Sequence, residues 1–168
     1  TGTPDATSTP AGKETIPEAP DRDLYDLARA LLLKSTEPIS RVVNTLPISL
    51  EVGREDTFLL TDLDDFDSYT SEATLRLISP HAYWYVEDNV DIGMAGLKRA
   101  ATRFEESIYP TITRIFGPAW PSEVGNDHRL NIVNAQLTDV AGYFSSTDEY
   151  PVAIRPTSNQ RKIIYINA

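Results

Sequence analysis

The residues able to do chemistry are few. Four aspartates crowd one short segment, Asp62, Asp64, Asp65 and Asp67. Hard cations take several carboxylates, so calcium is the first thought. An EF-hand loop beginning at Asp62 needs Gly at its sixth position and Glu at its twelfth, and neither is there. A solvated acidic turn is the simpler reading. The chain has two histidines, His81 and His128, and no cysteine. Neither histidine has a partner three or four positions away, as a helical zinc pair requires. The absence of cysteine excludes disulfides, thiolate nucleophiles and Cys-ligated metal. No G-x-S-x-G elbow and no phosphate-cradling glycine loop occurs.

A loop after residue 141 is the candidate site. Gly142, Tyr143, Phe144 and Asp148 combine glycine, aromatic and polar types in a stretch, Gly142 to Arg161, with little periodicity. That composition suits a shaped, site-facing loop as well as a plain surface excursion. The run Tyr83-Trp84-Tyr85 could line a carbohydrate or peptide groove, but alternation sends Trp84 and Tyr85 to opposite sheet faces, so at least one faces a core.

The elements that would position these residues follow from spacing. Leu24, Leu27, Ala28, Leu31 and Leu32 fall at helical intervals, predicting a helix over Asp23 to Lys34 with Asp21 or Asp23 as its cap and Pro38 beyond it. Strands are expected at Arg41 to Val43, ending near Pro47, and at Thr57 to Leu60, Ala73 to Ile78 and His81 to Val86, in an antiparallel meander. A long helix spans Ile92 to Phe116, with Met94, Leu97, Ala101, Phe104, Ile108, Ile112 and Ile115 as its core stripe. Pro110 predicts a kink or two abutting helices, and Gly117-Pro118 a stop. A loop covers Pro118 to Arg129. Leu130 to Leu137 is the best central strand and Lys162 to Asn167 the last. The fold class expected is α+β: a mixed or antiparallel sheet packed on one long kinked helix.

Composition bounds the partners. The chain of 168 residues suits one domain with a tail, and 40% hydrophobic residues allow an ordinary core. Residues 1 to 20, rich in Thr, Pro, Ala, Ser and Glu, read as a disordered leader before an α+β domain over 21–168. A net charge of -10 argues against nucleic acid and anionic membranes. No apolar run is long enough for a membrane span. The first residue is Thr1, so a processed N-terminus or a fragment is expected, and the final strand at Ala168 suggests truncation.

The order of segments then carries a resemblance. Asp23-Leu24-Tyr25-Asp26-Leu27-Ala28 opens the series, followed by His81-Ala82-Tyr83-Trp84-Tyr85-Val86-Glu87-Asp88. Phe104-Glu105, Ile108-Tyr109-Pro110, Phe116-Gly117 and Trp120-Pro121 come next. Ala141-Gly142-Tyr143-Phe144-Ser145-Ser146 with Asp148-Glu149, and Ser158-Asn159 leading to Ile164-Tyr165-Ile166-Asn167, complete it. The series resembles the N-terminal half of secreted bacterial zinc metallopeptidases of the hyicolysin and immune-inhibitor-A-like type.

The resemblance implies a zincin N-terminal subdomain, extracellular or tethered to a cell surface, whose full-length form acts on a peptide or protein substrate. In that family the segment resembling Ser158 to Asn167 precedes a helix bearing His-Glu-x-x-His, which supplies two zinc ligands and the glutamate base. This chain contains no His-Glu-x-x-His. No catalytic or metal residue is therefore carried over, and zinc is expected only in a longer form. The expected function is the non-catalytic, substrate-side scaffold of such a peptidase. Two rivals stand beside it: a secreted or surface binding module using exposed aromatics such as Trp84 or Trp120, and a metal-less zincin-like pseudoenzyme.

Overall fold

The computed structural model describes residues 22–43, 49–118 and 127–168. The expected leader, the strand end at Pro47 and the stretch holding Trp120 and Pro121 lie outside the described residues. Six strands form one mixed sheet: β1 (Glu55–Thr61), β2 (Ser68–Ile78), β3 (Ala82–Glu87), β4 (Leu130–Ala135), β5 (Gly142–Tyr143) and β6 (Ile163–Asn167). Their spatial order is β1-β2-β3-β4-β6-β5. The first three make the expected antiparallel meander. β3, β4 and β6 then run parallel, and β5 returns antiparallel along the outer side of β6. Parallel neighbours need a crossover. The long helix provides it between β3 and β4.

Both faces of the central strands are buried, which explains why their sequences are apolar almost throughout. Ala82, Trp84, Val86 and Ile132 pack on one face against Leu97, Ala101 and Phe104 of the helix. Trp84 meets Phe104 edge to face, with ring centroids 5.7 Å apart. Tyr83, Tyr85, Val133, Ile163 and Tyr165 fill the other face with Phe58, Leu60 and Leu75. A bulge in β2 serves both. The register shifts between Leu75 and Leu77, so Leu75 enters one core while Leu77 packs against the other.

The sheet curls until its two edge strands are joined by side chains. Asn159 reaches the backbone of Leu59, and the Tyr143 hydroxyl accepts the Thr61 amide at 2.9 Å. Asp56 in β1 holds the same region with a charged cluster. Its carboxylate accepts from Arg54, from Arg161 at 3.2 Å and from the Tyr85 hydroxyl at 2.6 Å. Burial opposes ionisation, but these donors keep the Asp56 carboxyl well below the usual carboxylate range.

The expected long helix is present as three consecutive segments: α2 (Met94–Arg103), a π-helical turn (Phe104–Ile108) and α3 (Tyr109–Phe116). The π turn is the accommodation to Pro110. Tyr109 donates to Phe104, five residues back, immediately before the proline whose ring conflicts with an α-helical carbonyl at Glu106. Gly117 ends the helix at φ 87°, a left-handed value natural to glycine. The core stripe stops early. Leu97, Ala101 and Phe104 are buried, whereas Met94, Ile108, Ile112 and Ile115 are exposed.

The N-terminal helix also departs from expectation. α1 (Leu24–Leu27) passes into a π turn over Ala28–Leu32, and Asp23 caps it by accepting the Tyr25 amide at 2.8 Å. Its buried residues are Tyr25 and Ala28, packed with Ile154. Leu27, Leu31, Leu32 and Leu33 face outward. The Tyr25 side of the helix wins because Tyr150 and Ile154 are the apolar groups within its reach. Arg41 to Val43 forms no strand; Arg41 instead pairs with Asp23 at 2.6 Å.

Candidate functional site

The loop residues Gly142, Tyr143, Phe144 and Asp148 lie together at the β5 edge but face different ways. The Ala141 carbonyl accepts the Asn167 amide at 3.0 Å, and Tyr143 pairs with Tyr165. Antiparallel alternation therefore turns the amide and carbonyl of Gly142 away from β6. The position admits no other residue without movement, because a β carbon on Gly142 would lie 2.5 Å from the Tyr165 carbonyl oxygen. Tyr143 stacks on Tyr165 at 4.4 Å, and burial pushes its phenol up to about 12. Phe144 points outward and is 56% exposed.

Asp148 is the most enclosed member, at 3% exposure. It follows Ser145, which caps a short 3-10 turn over Ser146–Glu149 by accepting the Thr147 amide. One carboxylate oxygen accepts the Asn159 amide at 2.9 Å and the Asn159 side-chain nitrogen at 2.8 Å. The other accepts the Tyr165 hydroxyl at 2.8 Å. Burial raises the Asp148 carboxyl above its ordinary value, against the lowering effect of those bonds. Tyr165 is raised too, by burial and then by the Asp148 charge.

Asn159 completes this group, and no local signal marks it. Its side-chain oxygen accepts the Leu59 amide and its nitrogen donates to the Leu59 carbonyl, both at 2.8 Å. The partners are distant in sequence, so only the fold reveals the contact.

The four aspartates form the β1–β2 turn, where Asp62 and Asp65 accept the amides of Asp64 and Asp67. With Tyr69, Glu87 and Asp139 the turn lines an open cleft of about 740 Å³. Glu87 is already engaged, accepting the Ser71 hydroxyl and the Gln136 amide at 2.8 Å each. His81 is held in one orientation. Its Nδ1 lies 2.6 Å from Glu105, its backbone amide donates to the same carboxylate, and its ring stacks on Tyr109 at 3.9 Å. Partial burial opposes ionisation of Glu105, but the bonds from His81 and Ser79 hold its carboxyl below the usual range. His128 is exposed, on the approach to β4. Trp84 is 5% exposed, so it lines no open groove.

Among the described residues no group of three or more His, Asp or Glu side chains is placed to hold a metal ion. The donors present do not fit a zinc centre, and no step through zinc follows from them. Among the same residues no helix is long and apolar enough to cross a membrane. No protein-family model matches the chain, and no curated protein matches it.

Proposed function

We propose that this domain is the non-catalytic, substrate-side scaffold of a secreted zinc-dependent peptidase, on which a metal-bearing helix from elsewhere in the polypeptide packs. The observation that carries the reading is the surroundings of β6. It has parallel β4 on one side and the antiparallel edge strand β5 on the other. Its register with β4 puts Ile164 and Ile166 on the same face as Ile132, the face that the crossover helix covers elsewhere. Ile164 is only partly buried and Ile166 is 38% exposed. A helix laid beside α2 would remove both from water, worth about 25 cal/mol per Å² of apolar area.

The second support is β5. Edge strands of zincin sheets bind the substrate backbone by strand addition. The outward amide and carbonyl of Gly142 present such an edge. Phe144, exposed beside it, offers a neighbouring side chain an apolar surface. In this reading Gly142 and Phe144 face substrate, Tyr143 and Asp148 anchor the loop from within, and peptide or protein is the partner.

The test is the intact gene product, assayed for bound zinc and for casein cleavage with and without chelator. Stoichiometric zinc and chelator-sensitive cleavage are expected. An intact product that cleaves nothing and retains no metal would move the reading to a binding module.

A further inference from the structure

Asp148 carries a carboxylate enclosed at 3% exposure. Among the described residues its oxygens accept three hydrogen bonds, each from a neutral group. The backbone amide and side-chain nitrogen of Asn159 serve one oxygen, and the Tyr165 hydroxyl serves the other. That hydroxyl accepts from Asn159 at 2.9 Å, so its own proton goes to Asp148. All three bonds are donations to the carboxylate, the pattern that favours its ionised form. A carboxylate offers about four lone-pair sites, so one remains, on the oxygen that Tyr165 serves.

The basic groups nearby face other carboxylates. Arg161 donates its backbone amide to the Asp148 carbonyl, while its guanidinium turns to Asp56. Lys162 lies within electrostatic range of Glu149. An ionised carboxylate buried without a counter-charge is costly, and neutral donors offset only part of that cost.

A small cavity adjoins this charge. It is largely enclosed, about 40 Å³ in volume, and its lining includes Asp148, Thr61, Tyr143, Ser145, Thr147 and Thr157. Of the lining residues only Leu59 lacks a side-chain oxygen, and none offers a side-chain nitrogen or sulfur. About 10–15 Å³ of such space holds one water, so there is room for a small ion and a water. An all-oxygen lining suits a hard cation rather than zinc. The charge count narrows the ion further. Calcium sites draw their affinity from several carboxylates, and magnesium gives up its water reluctantly. One carboxylate balances one positive charge.

We propose that this cavity binds a monovalent alkali cation, of sodium or potassium size, held by the Asp148 carboxylate and the hydroxyls of Thr147 and Thr157. Among the described residues neither hydroxyl has a hydrogen bond of its own. The bound ion neutralises the carboxylate that holds Asn159, and Asn159 bridges to the Leu59 backbone of β1. Closure of the sheet at this seam thereby depends on the surrounding salt. The proposal does not depend on the peptidase reading.

Two-dimensional NMR of the 168-residue chain tests it, with sodium, potassium or choline chloride exchanged at constant ionic strength and neutral pH. Sodium or potassium should shift the amides of Thr147, Asp148 and Asn159 along a saturable curve. Choline is too large for the cavity and should not. The Leu130 amide, bonded to the His81 carbonyl at 2.9 Å, serves as control and should follow no ion. Thermal unfolding gives a second readout. An alkali ion at ten times its Kd should raise the Tm by about 3–6 °C over choline. Asp148→Asn should abolish both responses, and Thr147→Val combined with Thr157→Val should weaken binding severalfold. Identical behaviour in choline, sodium and potassium means that the cavity holds water alone, and it overturns the proposal. So do saturable shifts with calcium but with neither alkali ion, a response that survives Asp148→Asn, or an unweakened one in the threonine double variant. Should Asp148→Asn fail to fold, the wild-type titration and the threonine variant still decide.

Discussion

At Gly142 the demand is for space rather than for an unusual backbone. A β carbon would sit 2.5 Å from the Tyr165 carbonyl oxygen and 3.4 Å from Ile166. The near atom belongs to a backbone fixed by β4, so neither side can yield cheaply. Gly142→Ala should therefore cost about 1–3 kcal/mol, the usual penalty of overpacking. Urea unfolding monitored by circular dichroism measures it, and a change below about 0.5 kcal/mol would show that β5 shifts aside freely. The glycine itself was legible as part of a shaped loop. Its reason was not, because the clash is with a strand that follows the loop. Asp148 illustrates the same gap. Its type marks it as polar, while its role depends on Asn159 and Tyr165, which the chain supplies only after closing that loop.

The helices show which part of a pattern a sequence carries. Leu97, Ala101, Phe104, Ile108, Ile112 and Ile115 share one face by spacing, and the first three are buried as that spacing implies. Periodicity says which residues point together, not how far the opposing surface extends. The helix from Met94 to Phe116 is roughly 35 Å long at 1.5 Å per residue. β4, with 6 residues, is roughly 20 Å. The helix outruns the sheet, and Ile112 and Ile115 are left 49% and 62% exposed. The same limit applies to Leu31 and Leu32 on the N-terminal helix. Strand positions were easier to read, since β-branched and aromatic runs bounded by turn residues mark β1, β3, β4 and β6 directly. The parallel order of β3, β4 and β6 was not, because it depends on where a crossover returns. Two substitutions separate the halves of the stripe. Leu97→Ala should cost about 2–5 kcal/mol as a core truncation. Ile112→Lys should change stability by no more than about 0.5 kcal/mol. Thermal or urea unfolding of the pair tests the assignment, and a large loss at Ile112 would mean that α3 is covered after all.

At the scale of the molecule the two cores are joined through shared strands. β3 sends Trp84 and Val86 toward the helix and Tyr83 and Tyr85 toward the curled face. β4 does the same with Ile132 and Val133. Neither face can lose its strands while the other keeps them, so the domain should unfold as one unit. Leu75 tests this from the side opposite the helix. It is fully buried against the Tyr85 face, and Leu75→Ala should cost about 2–5 kcal/mol. Trp84 reports from the other face by its fluorescence, with Trp120 replaced by Phe to remove the second signal. One cooperative unit requires that Leu75→Ala move the Trp84 transition and the far-ultraviolet circular dichroism transition to the same lower denaturant concentration. If the Trp84 transition stays in place while the dichroism transition moves, the helix-side core is an independent unit, and β3 and β4 do not couple the faces. The curl makes the coupled outcome the expected one. Asn159 and Tyr143 fasten β1 to the β5–β6 side, so weakening the Leu75 core also strains the seam that closes the sheet.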